Sequence, residues 1–119
     1  MRLLKLFFLV LSLSVVTGFS QDVPVDELPV ATINESFYVT LPDGPVENYY
    51  YVDISHMVFA DEQEAVYLLA GYVTGNLITN EVFYSDGYMI LQIHHEYMPE
   101  GIELDFMQNY LNHLTKPVE

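Results

Sequence analysis

Apolar and polar positions divide the chain into an apolar leader, a proline-spaced arm and an alternation of short strands with two helices. Residues 6–16 are apolar except for Ser12 and Ser14. Residues 21–33 show no helical period, and Pro24 and Pro29 are spaced through Val and acidic residues, which predicts an extended or disordered arm. Residues 37–41 predict a short strand by residue type, closed by the turn chemistry of Pro42-Asp43-Gly44-Pro45. Residues 49–59 predict the clearest strand, with Tyr50, Val52 and Ile54 alternating against Tyr51, Asp53 and Ser55. Asp61 follows as an N-cap with Glu64 three residues later, and Ala65, Val66, Leu69, Tyr72 and Val73 mark the buried stripe of a helix ended by Gly75-Asn76. Residues 78–84 and 88–97 predict two strands around Ser85-Asp86-Gly87, a hairpin signal in which both turn positions take positive φ. In the second of them Met89, Leu91 and Ile93 share one face, while Ile90, Gln92 and His94 share the other. Residues 103–114 predict the last helix, with Leu104, Met107, Leu111 and Leu114 on one stripe, and Pro117 prevents its continuation.

An early short strand followed by strand, helix, strand, strand, helix predicts an α+β, open-faced sandwich: an antiparallel sheet of about four strands with two helices on one face. There is no internal repeat and no low-complexity tract.

The leader changes the domain picture. Arg2 and Lys5 form a positive start, and Gly18 and Ser20 put small residues three before and one before a cut after Ser20. Residues 1–20 therefore predict a cleavable signal peptide. A membrane anchor would need about 20 apolar residues, and no second basic cluster follows. No Cys follows the apolar run either, so lipoprotein anchoring is excluded. The expected organisation is residues 1–20 signal peptide, 21–36 extended arm and 37–117 one α+β domain. Export without any cysteine is ordinary for a bacterium, so the expected location is periplasmic or extracellular.

Removing the leader sharpens the charge. Arg2 and Lys5 leave with it, and Lys116 alone then faces 17 carboxylates, a net charge of −16. Such a surface repels nucleic acid and anionic membranes. Ionic strength should stabilise the fold by screening its self-repulsion. Weak calcium binding is plausible from charge alone, but no loop of alternating Asp and Asn is present to organise it.

Ile54-Ser55-His56-Met57, the hairpin over residues 82–93 and the order of elements resemble ferredoxin-like domains of the heavy-metal-associated type, over residues 50–114. That family's metal loop places two cysteines just after the Met, where this chain has Phe59 and Glu62, so the resemblance implies the topology without the thiolate site. The family's last strand has no counterpart after Leu114, and residues 37–41 are the expected substitute. The chain also looks like small exported bacterial proteins of unknown function with Tyr-rich first strands.

Candidate chemistry is sparse. His94 and His95 are adjacent in a predicted strand and so point to opposite faces. Asp61, Glu62 and Glu64, and likewise Glu96, Glu100, Glu103 and Asp105, are explained by helix N-termini. Ser36, Ser55 and Ser85 lack a catalytic context, so no enzyme, catalytic residue or cofactor is expected. Asn34-Glu35-Ser36 matches a glycosylation sequon, read as chance. The surplus is aromatic: all ten Tyr lie beyond the leader, three of them consecutive at 49–51. Tyr49, Tyr51, Phe83, Ile90 and His94 are the expected binding surface on the face without helices. Two functional expectations follow. One is a non-catalytic exported interaction domain that binds a protein or itself through that face. The alternative is a cation- or metal-binding module with non-cysteine ligands, for which His56, His94 and Glu62 are the candidates.

Overall fold

A computed structural model describes residues 24–114; the leader expected at 1–20, the start of the arm and the tail from 115 lie outside the described residues. Five strands form one sheet: β1 (Val30–Ile33), β2 (Val39–Thr40), β3 (Tyr49–Asp53), β4 (Ile78–Phe83) and β5 (Tyr88–Ile93), in the order β2-β1-β3-β5-β4. Helix α1 (Glu62–Tyr72) joins β3 to β4, and α2 (Leu104–Asn112) follows β5. The class is α+β, as expected. The sheet is not four antiparallel strands, because β1 runs parallel to β3 while the other neighbours are antiparallel. The residues responsible lie in the segment read as an arm. Ala31 and Ile33 alternate with polar or exposed neighbours and bury to 1% and 4% exposure, and the Tyr51 N–H donates to the Pro29 carbonyl at 2.9 Å. The strand expected at 37–41 does reach the sheet, but it pairs outside β1 rather than beside β3.

Both helices cover one side. Leu69 of α1, Val73 just after it, and Met107 and Leu111 of α2 share a single cluster with Tyr50 and Val52 of β3 and with Met89, Leu91 and Ile93 of β5. Alternation puts all these strand residues on the same face. Burying each such side chain is worth roughly 1.5–3 kcal/mol, so this cluster supplies most of the drive to fold.

Local chemistry sets the ends of the elements. The Asp61 carboxylate accepts from the Glu64 N–H at 2.9 Å, and the Glu64 carboxylate reaches back to the Ala60 N–H. Of the predicted stripe on α1, Ala65, Leu69 and Val73 are buried, but Val66 is exposed. The helix ends at Tyr72, where the Asn80 side-chain amide donates to the carbonyls of Leu69 and Val73 at 3.1 and 3.0 Å. The Leu69 carbonyl also accepts the Val73 N–H at 2.9 Å, so the Asn80 amide adds a second bond there and ties the last turn of the helix to β4. Asn80→Ala is therefore expected to lower stability by about 1–3 kcal/mol in urea unfolding.

Strand β3 stops at Asp53, not Phe59, because its carboxylate accepts the Ser55 N–H at 2.9 Å and turns the backbone away. The connection of β4 to β5 also departs from expectation. Tyr84–Asp86 forms a 3₁₀ turn and only Gly87 takes positive φ, at 77°. Strand β5 ends at Ile93, short of Tyr97, because its antiparallel partner begins only at Ile78 and the last bond runs from the His94 N–H to the Leu77 carbonyl. His95 consequently lies in a 3₁₀ turn and not in a strand.

Candidate functional site

The face of the sheet opposite the helices is built by the other half of the same alternation. It carries Val30 from β1, Tyr49, Tyr51 and Asp53 from β3, Thr79, Glu81 and Phe83 from β4, and Tyr88, Ile90 and Gln92 from β5. Register sets Tyr51 opposite Ile90 and Ile90 opposite Glu81, and in the next row Asp53 opposite Tyr88 and Tyr88 opposite Phe83. The rings stack along that diagonal. Tyr51 and Tyr88 have centroids 4.8 Å apart at 25°, and Tyr88 and Phe83 are 5.0 Å apart at 23°. Each contact of this kind is worth about 0.5–1.5 kcal/mol beyond burial.

Of the five residues expected on this face by sequence, Tyr49, Tyr51, Phe83 and Ile90 occupy strand positions on it, and His94 lies just beyond the end of β5. They do not play equal parts. Tyr49, Tyr51 and Phe83 are half-buried, whereas Ile90 is 2% exposed. Its neighbours therefore cover Ile90, and it supports the rings from beneath instead of offering contact. His94 stands at the end of β5, with Nε2 2.8 Å from the Thr79 hydroxyl and Nδ1 3.0 Å from the Glu96 carboxylate. The backbone N–H of Glu96 and the His94 ring hold that carboxyl below its ordinary value. Two residues of the face escape a reading by strand type alone: Tyr88, the middle ring, and Glu81. Tyr88 shares the parity of Ile90 and Gln92, which is the signal that places it.

Burial pushes the Tyr88 phenol up, and the charges of Asp86, Tyr51 and Glu81 add to the shift. Burial also raises Tyr50 on the opposite face, although its hydroxyl accepts the Glu47 N–H, which acts the other way. Groups with raised folded-state values contribute full stability below the ordinary tyrosine value of 10.0 and lose it as pH rises through the raised ones. Alkaline titration followed by phenolate absorbance is therefore expected to show Tyr50 ionising above 10.0, together with unfolding. Tyr50→Phe should move that unfolding to higher pH.

The metal candidates are not brought together. His56 follows the end of β3, where its Nε2 lies 2.7 Å from the Ile33 carbonyl. His94 follows the end of the antiparallel β5, at the other end of the sheet. Glu62 opens α1 and is exposed. Among the described residues no three His, Cys, Asp or Glu side chains form a group able to hold a metal ion. A depression of about 500 Å³ at the Gly87 end of the sheet is lined by Ser55, Ser85 and Asp86 with apolar neighbours, and no histidine lines it. No helix among the described residues is long and apolar enough to cross a membrane. No protein family, curated protein or solved structure matches the chain.

Proposed function

We propose that this chain is an exported, non-catalytic interaction domain that engages a protein through the sheet face turned away from α1 and α2. The supporting observation is the Phe83–Tyr88–Tyr51 stack on that face, seated over Ile90 and flanked by Val30, which is 55% exposed. A row of large rings held by its own stacking loses little entropy on contact and offers a broad apolar area to bury. The leader pattern at residues 1–20 supports export, and mass spectrometry of the protein from expressing cells should find an N-terminus at Gln21. The run β3-α1-β4-β5-α2, with β3 beside β5 and β5 beside β4, supports a ferredoxin-like assignment in which β1 replaces that class's last strand.

Self-association is the form of this reading that needs no knowledge of a partner. Sedimentation across protein concentration, at low and high ionic strength, is expected to show mass action that strengthens with salt, because salt screens like charges. Tyr51→Asp should abolish it without unfolding the domain. A strict monomer whose Tyr51→Asp variant is as soluble and as stable as the parent would contradict the reading.

A further inference from the structure

The two edges of the sheet are treated differently. At the β2 edge, Gln108 of α2 covers the backbone: its Oε1 accepts the Leu41 N–H at 2.9 Å and its Nε2 donates to the Val39 carbonyl at 2.8 Å. That is how proteins close an edge against unwanted pairing. At the β4 edge the bonding parity can be read from two points. The His94 N–H donates to the Leu77 carbonyl, and the Ile54 N–H donates to the Gly87 carbonyl. Together they direct the backbone groups of residues 79, 81 and 83 toward β5 and those of 78, 80 and 82 away from it. Gly75 takes the Ile78 carbonyl. Asn80 and Val82 turn their N–H and C=O groups outward, and no described strand follows β4.

The side chains beside this edge are acidic and aromatic. Glu81 lies between Thr79 and Phe83 on the outer face, and Phe83 ends the ring stack. Asp53 stands opposite Tyr88 in the same row, and Asp86 is near enough to raise the Tyr88 phenol. The described residues include no Lys or Arg to neutralise them. We infer that β4 is the docking edge for an extended, basic segment of a partner protein, which adds as a further strand and brings Arg or Lys side chains against Glu81 and the aromatic row. This rests on the reading of the outer face as a contact surface and names the partner's chemistry. Strand addition supplies affinity through the Asn80 and Val82 backbone, while alternate side chains supply specificity. A guanidinium beside a carboxylate and a ring face gains from both. A second copy fits less well. The antiparallel register that pairs Asn80 with Val82 of another copy sets the two Glu81 carboxylates opposite each other, where like charges repel.

The test uses ¹⁵N-labelled protein produced from the full 119-residue sequence and a blocked peptide of alternating arginine and valine. Controls are the same peptide with glutamate for arginine and one N-methylated along its backbone. The arginine peptide is expected to slow amide exchange at Asn80 and Val82, to lose affinity at least about tenfold in Glu81→Lys, and to weaken with salt. Neither control should bind. Absence of arginine-peptide binding would overturn the proposal, as would binding that leaves those two amides unprotected. So would protection in the unliganded protein that grows with protein concentration, which assigns the edge to a second copy, or that vanishes when residues 115–119 are deleted, which assigns it to the chain's own tail. If Tyr51→Asp still abolishes association while the peptide fails, the outer-face reading stands and the edge assignment alone falls.

Discussion

Tyr50→Ala is expected to destabilise the domain by about 3–5 kcal/mol, as truncation of a large buried aromatic does. Tyr50 is fully buried in β3, the strand flanked by β1 and β5, so its ring contributes to the cluster that both helices share. Its removal leaves a cavity that cannot collapse, because a sheet and two helices fix the walls. The hydroxyl also accepts the Glu47 N–H at 2.8 Å, which ties down the loop entering β3. Tyr50→Phe keeps the ring and loses only that bond, so its cost should stay near 0.5–1.5 kcal/mol. Urea unfolding of both variants separates the two contributions. Domains of this size hold about 5–15 kcal/mol in total, so Tyr50→Ala should remove a large fraction of the folded population's margin.

Leu111→Ala is the second large effect, at about 2–5 kcal/mol. Leu111 and Met107 are the two fully buried residues of α2, a helix of 9 residues that could not persist alone. The same helix carries Gln108 against β2 and Tyr110, whose hydroxyl accepts the Leu77 N–H at 3.0 Å. Loosening α2 therefore exposes the β2 edge as well as the core. Urea unfolding reads the loss of stability. Amide exchange at Leu41, whose N–H meets Gln108, should accelerate in Leu111→Ala more than exchange at Leu91 in the sheet centre.

Period-two alternation in residues 50–54 and 89–93 was legible because an apolar residue on every second position has one burial solution once helices cover one side. Asp61 and Glu64 were legible for a similar reason, since their bonds are local. What the sequence concealed was non-local. Nothing near Val30–Ile33 reveals that it will run parallel to β3, because Pro24 and Pro29 argue for an arm and the pairing partner lies some twenty positions away. The early end of β3 was hidden by the apolar residues Met57, Val58 and Phe59, which continue the hydrophobic run after the Asp53–Ser55 turn has already broken the strand. Val66 fits a helical stripe by spacing, yet α1 is rotated so that Ala65, Leu69 and Val73 are buried, Leu68 and Tyr72 pack against the core from the side, and Val66 is left exposed. On the outer face, parity alone placed Tyr51, Phe83 and Ile90 together. It could not show that Ile90 would be roofed over, or that Tyr88 would join two rings into one stack.

The claim on which the functional account depends is that proteins meet this domain on its strand side and not on its helix side. A photoactivatable benzoyl-phenylalanine placed at Tyr51, or in a separate variant at Tyr67 on the exposed side of α1, tests this in living cells. Irradiation is expected to give a discrete adduct from position 51, lost on adding Phe83→Asp, and none from position 67. Adducts from position 67 alone, or from neither, would contradict the account.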